Sequence, residues 1–303
     1  MKFKIRRRKH DLILVFFIFL IYFTYSPLFC SPEELNSSEN LDFIKPSADP
    51  TEIVFSGYNW TVRTSNDLLQ GPGPNYFNDS AENVWLDGNG YLHLKIIIRD
   101  GKWYCAEVYS ELSFGYGTYV FTLAPGFENL DVNIVVGLFT YLDDENEIDI
   151  EFARWGQLGA QNGQYVVQAS SNIGNLYRFN MPEPGEKSTH SFTWCEEYIR
   201  YWSVWRTDIN INSNNLITEW FYTGNDNPAP STERVHINFW LMDGLAPTDS
   251  KEAEIVIEKF QFLTSACDDP IPLPSWVIWT LTVSGILGIS ITLVIILKKT
   301  KLR

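Results

Sequence analysis

From Asn146 to Phe152 the chain reads Asn-Glu-Ile-Asp-Ile-Glu-Phe, with polar and apolar residues alternating without a break. Period-two alternation specifies a β-strand rather than a helix. On a strand Ile148 and Ile150 face one side, and Glu147, Asp149 and Glu151 are forced together on the other. Like charges that close lower the stability of a sheet, and Asp is a poor strand former. As architecture such a row is costly, so it points to chemistry or to a bound cation, with a merely solvated acidic face as the alternative.

The rest of the chain between about Ile53 and Leu263 obeys the same local grammar. Runs such as 91–96, 118–123, 134–139, 165–168, 198–202 and 235–240 have strand length and are rich in β-branched or aromatic residues. Turn signals such as 87–90 and Asp100-Gly101 separate them. No amphipathic helix of useful length interrupts them, and no 20- to 50-residue repeat suggests a propeller or solenoid. These features predict one all-β domain over residues 53–265, a β-sandwich of two antiparallel sheets. Residues 254–260, mixing acids with apolar residues, read as a strand of the outer sheet.

The two ends are of another kind. Six basic residues among the first ten precede an apolar run from Leu12 to about Phe23. This marks residues 1–30 as a secretory signal or N-terminal anchor, and the run's shortness favours a signal. Residues 31–52 read as a polar linker, and 266–275, with three prolines, as a stiff one. Residues 276–297 carry no charge and are closed by Lys298, Lys299, Lys301 and Arg303, so a C-terminal transmembrane helix with a basic cytoplasmic tail, 298–303, is expected. That orientation places the β-domain outside the cell membrane.

The net charge of −14 is concentrated in the exported part, because ten of the 23 Lys and Arg lie in the two basic ends while all 37 acids lie between Asp11 and Asp269. Nucleic acid is excluded as a partner and anionic polymers are disfavoured; neutral substrates remain. Cys105, Cys195 and Cys267 allow at most one disulfide, with the pairing open. Sequons at Asn36, Asn59 and Asn78 fit an exported surface.

Taken alone, the acid row suits glycoside hydrolysis, in which one carboxylic acid protonates the leaving oxygen while a carboxylate attacks or activates water. A third carboxyl between them can hold the two pKa values apart. Calcium is the weaker reading, since it takes six to eight oxygens and a straight strand does not wrap an ion.

The row and its surroundings resemble glycoside hydrolase family 16, whose signature is Glu-x-Asp-x-Glu; Asn146 to Phe152 has the form without the extra residue that laminarinases insert. Residues 113–119 look like the family's aromatic-Gly-aromatic-Gly stretch, 137–141 like the strand leading to the signature, 189–194 like its His-x-Phe-x-Trp, and 235–240 like its late Asn-x-Trp strand. These lie in the family's order over roughly 200 residues.

The resemblance implies a concanavalin A-like jelly roll and a retaining mechanism with Glu147 as nucleophile, Asp149 as its helper, and Glu151 as general acid and base. It implies substrate-binding roles for Glu107, Asn238 and Trp240; Trp155 is a further platform if the strand alternation continues past Glu151. On a flat strand the α-carbons of residues 147 and 151 would be ~13 Å apart, whereas retention wants carboxyl groups ~5–5.5 Å apart, so the strand is expected on a concave face. His190 and His236, on predicted strands beside aromatic residues, are expected to be buried, hydrogen-bonded histidines rather than catalytic ones.

Where lichenases carry an Arg this chain has Tyr109, and residues 71–75 and Arg154-Trp155 have no clear lichenase counterpart, so substrate preference does not transfer. The expected activity is that of a membrane-anchored endo-β-glycanase, with β-glucan as substrate, no cofactor or catalytic metal, and a monomeric state. A carbohydrate-binding protein without activity and a transglycosylase are the competing readings. Whether a structural calcium ion binds is not legible in the sequence.

Overall fold

The computed structural model describes residues 51–182, 185–206, 214–264 and 267. The expected signal or anchor, membrane span and basic tail lie outside the described residues, as do the sequon at Asn36 and most of both linkers. Among the described residues no helix is long and apolar enough to cross a membrane.

Sixteen strands account for most of what is described: β1 (Glu52–Phe55), β2 (Tyr58–Val62), β3 (Tyr76–Phe77), β4 (Val84–Leu86), β5 (Leu92–Arg99), β6 (Lys102–Ser110), β7 (Gly117–Leu123), β8 (Ile134–Asp143), β9 (Asn146–Ala153), β10 (Gly163–Val167), β11 (Leu176–Phe179), β12 (Ser188–Trp194), β13 (Ile199–Trp205), β14 (Leu216–Tyr222), β15 (Arg234–Leu241) and β16 (Ala253–Leu263). Helical structure among the described residues up to 264 amounts to two single 3₁₀ turns, Phe127–Asn129 and Met242–Gly244.

The expectation of an all-β jelly-roll-like fold holds, with one correction. Twelve of the strands form a single continuous hydrogen-bonded path, β11-β10-β9-β8-β15-β6-β5-β16-β7-β12-β13-β14, that folds over on itself, rather than two separate sheets; β2 and β3 attach to β6, β4 to β5 and β1 to β2. The join is the β5–β6 hairpin. Its tip, Asp100-Gly101, has both residues in the left-handed region (φ 52° and 76°), the conformation of a tight hairpin turn whose twist matches that of its strands. These two strands are long enough to serve both layers: Ile97–Arg99 pair with Lys102–Tyr104, while Leu92–Ile96 pair with β16 and Ala106–Tyr109 with β15. A second departure is the short β3, which lies parallel to β6; the other strand pairs are antiparallel.

Alternation within each strand fills the space between the layers. From β9 the buried Ile148, Ile150 and Phe152 point inward, joined by Leu138, Ile237 and Phe239 of the same layer and by Tyr119, Phe121, Phe192 and Tyr201 of the other. Close ring contacts tie the layers together, including Tyr165 on Tyr201 (4.8 Å) and Trp60 on Phe260 (5.3 Å). At about 25 cal/mol per Å² such aromatic burial dominates the stability of the fold. Cys195 and Cys267 form the disulfide whose pairing the sequence left open, tying the end of β12 to the chain beyond β16. Cys105 is a buried thiol, pushed up to about 12 by burial.

Candidate active site

The acidic strand is launched by a fixed turn. At the end of β8, Asp143 Oδ1 accepts hydrogen bonds from the backbone N–H of Glu145 (3.0 Å) and Asn146 (3.0 Å) and from Asn146 Nδ2 (2.8 Å). Donation by the Asn146 side chain and then by Glu145 holds the Asp143 carboxyl below its usual range, so the turn is pinned by an ionised group. β9 then runs between β8 and β10, and since Ile148 and Ile150 face the core, Glu147, Asp149 and Glu151 face the opposite, concave side.

Strand register sets the neighbours of each acid. Glu151 lies opposite Gln164 on β10 and Gly137 on β8; beyond Gly137 come Asn238 on β15 and Glu107 on β6. The parallel row through Asp149 continues as Phe139, His236 and Tyr109, and Glu147 lies opposite Tyr141. These rows floor an open cleft of about 610 Å³, whose walls include Arg63, Gly71, Pro72, Asp144 and Trp240. A Cβ at Gly137 would meet the Asn238 carboxamide oxygen, so any larger residue there would displace the Asn238 side chain. That oxygen is buried and has no hydrogen-bond partner among the described residues.

The triad is held by amides. Gln164 Nε2 donates to Glu151 Oε2 (2.6 Å) and Gln168 Nε2 to Asp149 Oδ2 (3.1 Å). Burial is the main cause that raises all three carboxyls. Glu147 is pushed up to about 7, partly offset by its hydrogen bond with Asp149, with the charge of Glu151 pushing the same way as burial. Asp149, 2 % exposed, is raised well above its ordinary value by burial and by the charges of both glutamates. Glu151 is also pushed up to about 7 by burial, against the Gln164 hydrogen bond and the charge of Arg178. Three such carboxyls cannot all ionise near neutrality. Asp149, hydrogen-bonded to Glu147 and pressed by the charges of both glutamates, is the carboxyl placed to keep a proton and donate it to Glu147. A proton remains for Glu151 to give up near neutral pH.

Glu107 behaves in the opposite way. One oxygen accepts from Arg63 Nη1 (2.6 Å) and the other from His236 Nδ1 (2.8 Å). Burial would raise its pKa, but His236 and Arg63 outweigh burial and hold it below the ordinary value. Arg63 also donates to Gly71 O (2.7 Å) and Gln70 Oε1 (3.1 Å) and lies over the Phe77 ring. The 71–75 segment, which has no lichenase counterpart, thus packs on Arg63 and forms part of one wall.

The condition on which Trp155 would face the same side as Glu151, strand alternation continued past Glu151, is not met. β9 ends at Ala153, and Trp155 (φ 52°) and Gly156 (φ 69°) make a left-handed turn closed by Gln157 N–H donating to Arg154 O. A left-handed tryptophan is strained by roughly 1–3 kcal/mol. The turn nevertheless sets the Trp155 ring 6.3 Å from that of Trp240, at 64°.

His190 is buried in the core and hydrogen-bonded at both nitrogens, to Ser188 (2.9 Å) and Ser203 (2.7 Å); burial lowers it to about 3, so it is neutral. Sequence reasoning missed Arg63, Gln164, Gln168, Arg178 and Gly137. Gln164 and Gln168 share strand parity, a signal visible in 163–168, but which strand they face is a matter of register.

No sequence-family model matches the chain, and no curated relative matches it. The fold is similar to that of the Bacillus licheniformis β-glucanase, with a TM-score of 0.51 at 19 % identity over 72 % of this chain and 99 % of that one. It is similar to a glycosyl hydrolase family 16 protein of Mycobacterium smegmatis (TM-score 0.50, 19 % identity, 66 % and 89 % covered). It is similar also to an immunostimulatory antigen and pseudo β-1,3-glucanase of Mycobacterium tuberculosis (TM-score 0.50, 19 % identity, 68 % and 91 %). These likenesses show a fold of the family 16 β-glucanase type.

Proposed function

We propose that the chain is an outward-facing, membrane-anchored glycoside hydrolase that cleaves internal β-glycosidic bonds of a neutral polysaccharide, β-glucan first among them, with retention. The observation that carries this reading is the set of three carboxyls on one strand, Asp149 buried and Glu147 and Glu151 half-buried, all facing a cleft and all raised in pKa. A purely binding cleft gains nothing from holding them there. The acidic cleft favours a neutral chain over an anionic one. The Cys195–Cys267 bridge supports export, because disulfides persist in oxidising compartments.

In the proposed reaction Glu147, kept ionised by the hydrogen bond from protonated Asp149, attacks the anomeric carbon. The bond to the leaving oxygen breaks as Glu151 gives that oxygen its proton. Esterification removes the charge of Glu147, which lowers the pKa of Glu151 and prepares it to take a proton from water. Attack of that water on the glycosyl-enzyme releases the sugar and restores both acids. Asn238, Trp240 and Trp155 are proposed to bind the chain, the rings as apolar platforms beside a few polar groups.

Incubating the full chain and its Glu147→Gln variant with β-1,3-, mixed-linkage and β-1,4-glucans and galactans tests this reading. Product from the wild type and almost none from the variant is expected. No product from any polymer would leave the reading of a carbohydrate-binding protein without activity; a neighbour in fold from M. tuberculosis is itself described as a pseudo β-1,3-glucanase. Equal activity in both proteins would remove Glu147 as nucleophile.

A further inference from the structure

We infer that His236 meets the bound glycan, presenting Nε2 to a sugar hydroxyl about two strands from the reacting carboxyls, and that Glu107 is its positioning residue rather than a sugar ligand itself. This deepens the proposed function and rests on that reading of the cleft.

The argument begins at Glu107. Its carboxylate is 3 % exposed, has each oxygen engaged by Arg63 or His236, and is held ionised by them. An ionised carboxylate only accepts, so the ring proton of His236 sits on Nδ1 and points at Glu107. The faces of the imidazole are also taken. Phe139 stacks at 5.0 Å (25°) and Tyr109 at 5.4 Å (25°), each from the neighbouring strand of the same row. Tyr141 adds an edge-to-face contact at 5.8 Å (74°), and the Nε2 atom is the polar part of the ring left for the cleft, which His236 and Tyr141 both line. Nε2 has no protein partner among the described residues, and it is not among the buried polar atoms left unpaired. It is therefore open to the cleft.

The contrast with His190 is instructive. There both nitrogens are bonded to serines and the ring is sealed in the core, which is what a structural histidine looks like in this fold. His236 instead has one nitrogen tied to a fixed carboxylate, two faces packed and one polar atom free. A rigid ring with a single free hydrogen-bonding atom loses little entropy when it binds, which is the economy of a preorganised contact. Its place in the row Asp149–Phe139–His236, with strands 4.7–4.9 Å apart, puts it ~10 Å along the cleft from Asp149, beyond the reacting sugar. A contact there contributes to binding more than to bond breaking.

His236→Asn is the discriminating variant, because its carboxamide keeps a donor near the Nδ1 position for Glu107 while deleting the Nε2 edge. The full chain is assayed with laminari-, cello- and mixed-linkage pentaoses, and binding of the same pentaoses is measured by calorimetry in the Glu147→Gln background. His236→Asn is expected to raise KM, and to weaken pentaose binding, about tenfold, with kcat within about threefold of wild type. Glu107→Gln is expected to raise KM likewise, and the double variant to be no worse than His236→Asn alone. An unchanged KM and affinity in His236→Asn, additive effects in the double variant, or binding of none of the pentaoses would overturn the inference. If Glu107→Gln does not fold, His236→Asn decides alone. Binding that depends on His236 without cleavage by the wild type would sink the hydrolase reading and keep this one; cleavage indifferent to His236 would do the reverse.

Discussion

Two sets of carboxyls share one cleft, and their pKa values are shifted in opposite directions. Glu107 is surrounded by donors, with Arg63 on one oxygen and His236 on the other, and its pKa is held down. Glu147, Asp149 and Glu151 crowd one another, receive one glutamine donor each on Glu151 and Asp149, and are all raised. Burial pushes the pKa upward in both sets, so the opposite outcome lies in their partners. The lesson is that a carboxyl with compensating donors is part of the scaffold, whereas carboxyls left to repel one another hold protons that can be transferred.

The largest effect that tests this comparison is on activity. Glu147→Gln is expected to lower kcat by on the order of 10⁴-fold or more while the protein folds normally, because the covalent route is lost. Stability should respond in the opposite sense at the two sets. Arg63→Met is expected to cost roughly 3 kcal/mol in chemical denaturation, since it leaves a buried carboxylate half compensated. Glu151→Gln is expected to stabilise the protein at pH 7.5 by on the order of 1–2 kcal/mol, a few degrees in Tm. Loss of stability in Glu151→Gln, or none in Arg63→Met, would break the distinction.

The pH dependence of that gain follows from the sign of the shift. Glu151 has a folded pKa of about 7, above its ordinary value, so between about 4.5 and 7 the folded state binds more protons than the unfolded. Wild-type stability therefore falls across that window as pH rises, relative to Glu151→Gln, and the two proteins converge below about pH 4.5. Thermal melts of both from pH 4 to 8 check this. For the same reason kcat/KM should decline as pH rises through about 7, when Glu151 loses the proton it donates. Trp155→Ala is expected to have the smallest effect, a few-fold rise in KM, since strain relieved at a left-handed residue offsets part of the lost ring contact.

Most of the strand content and the facing of β9 were legible in the sequence because parity alone decides which side an alternating residue takes. Ile148 and Ile150 could go only to the core, which fixed the three acids on the other face. Parity does not reveal which strands pair, and every missed residue of the site is of that kind: Gln164 and Gly137 reach Glu151 through register, and Arg63 reaches Glu107 from β2's end through β2–β6 pairing. Two departures from simple alternation share another origin. The continuous sheet path arises because β5 and β6 span both layers, and Trp155 left the alternation at a left-handed turn. Both depend on where a strand bends or stops, which alternation does not encode.

The central claim is that the uncompensated acids of β9 carry out a double displacement. It is tested most directly by following the anomeric proton of the sugar released from mixed-linkage β-glucan by ¹H NMR in the first minutes of reaction. The account predicts that the β-anomer appears first and the α-anomer follows only by mutarotation. First appearance of the α-anomer, or no released sugar at all, would contradict it.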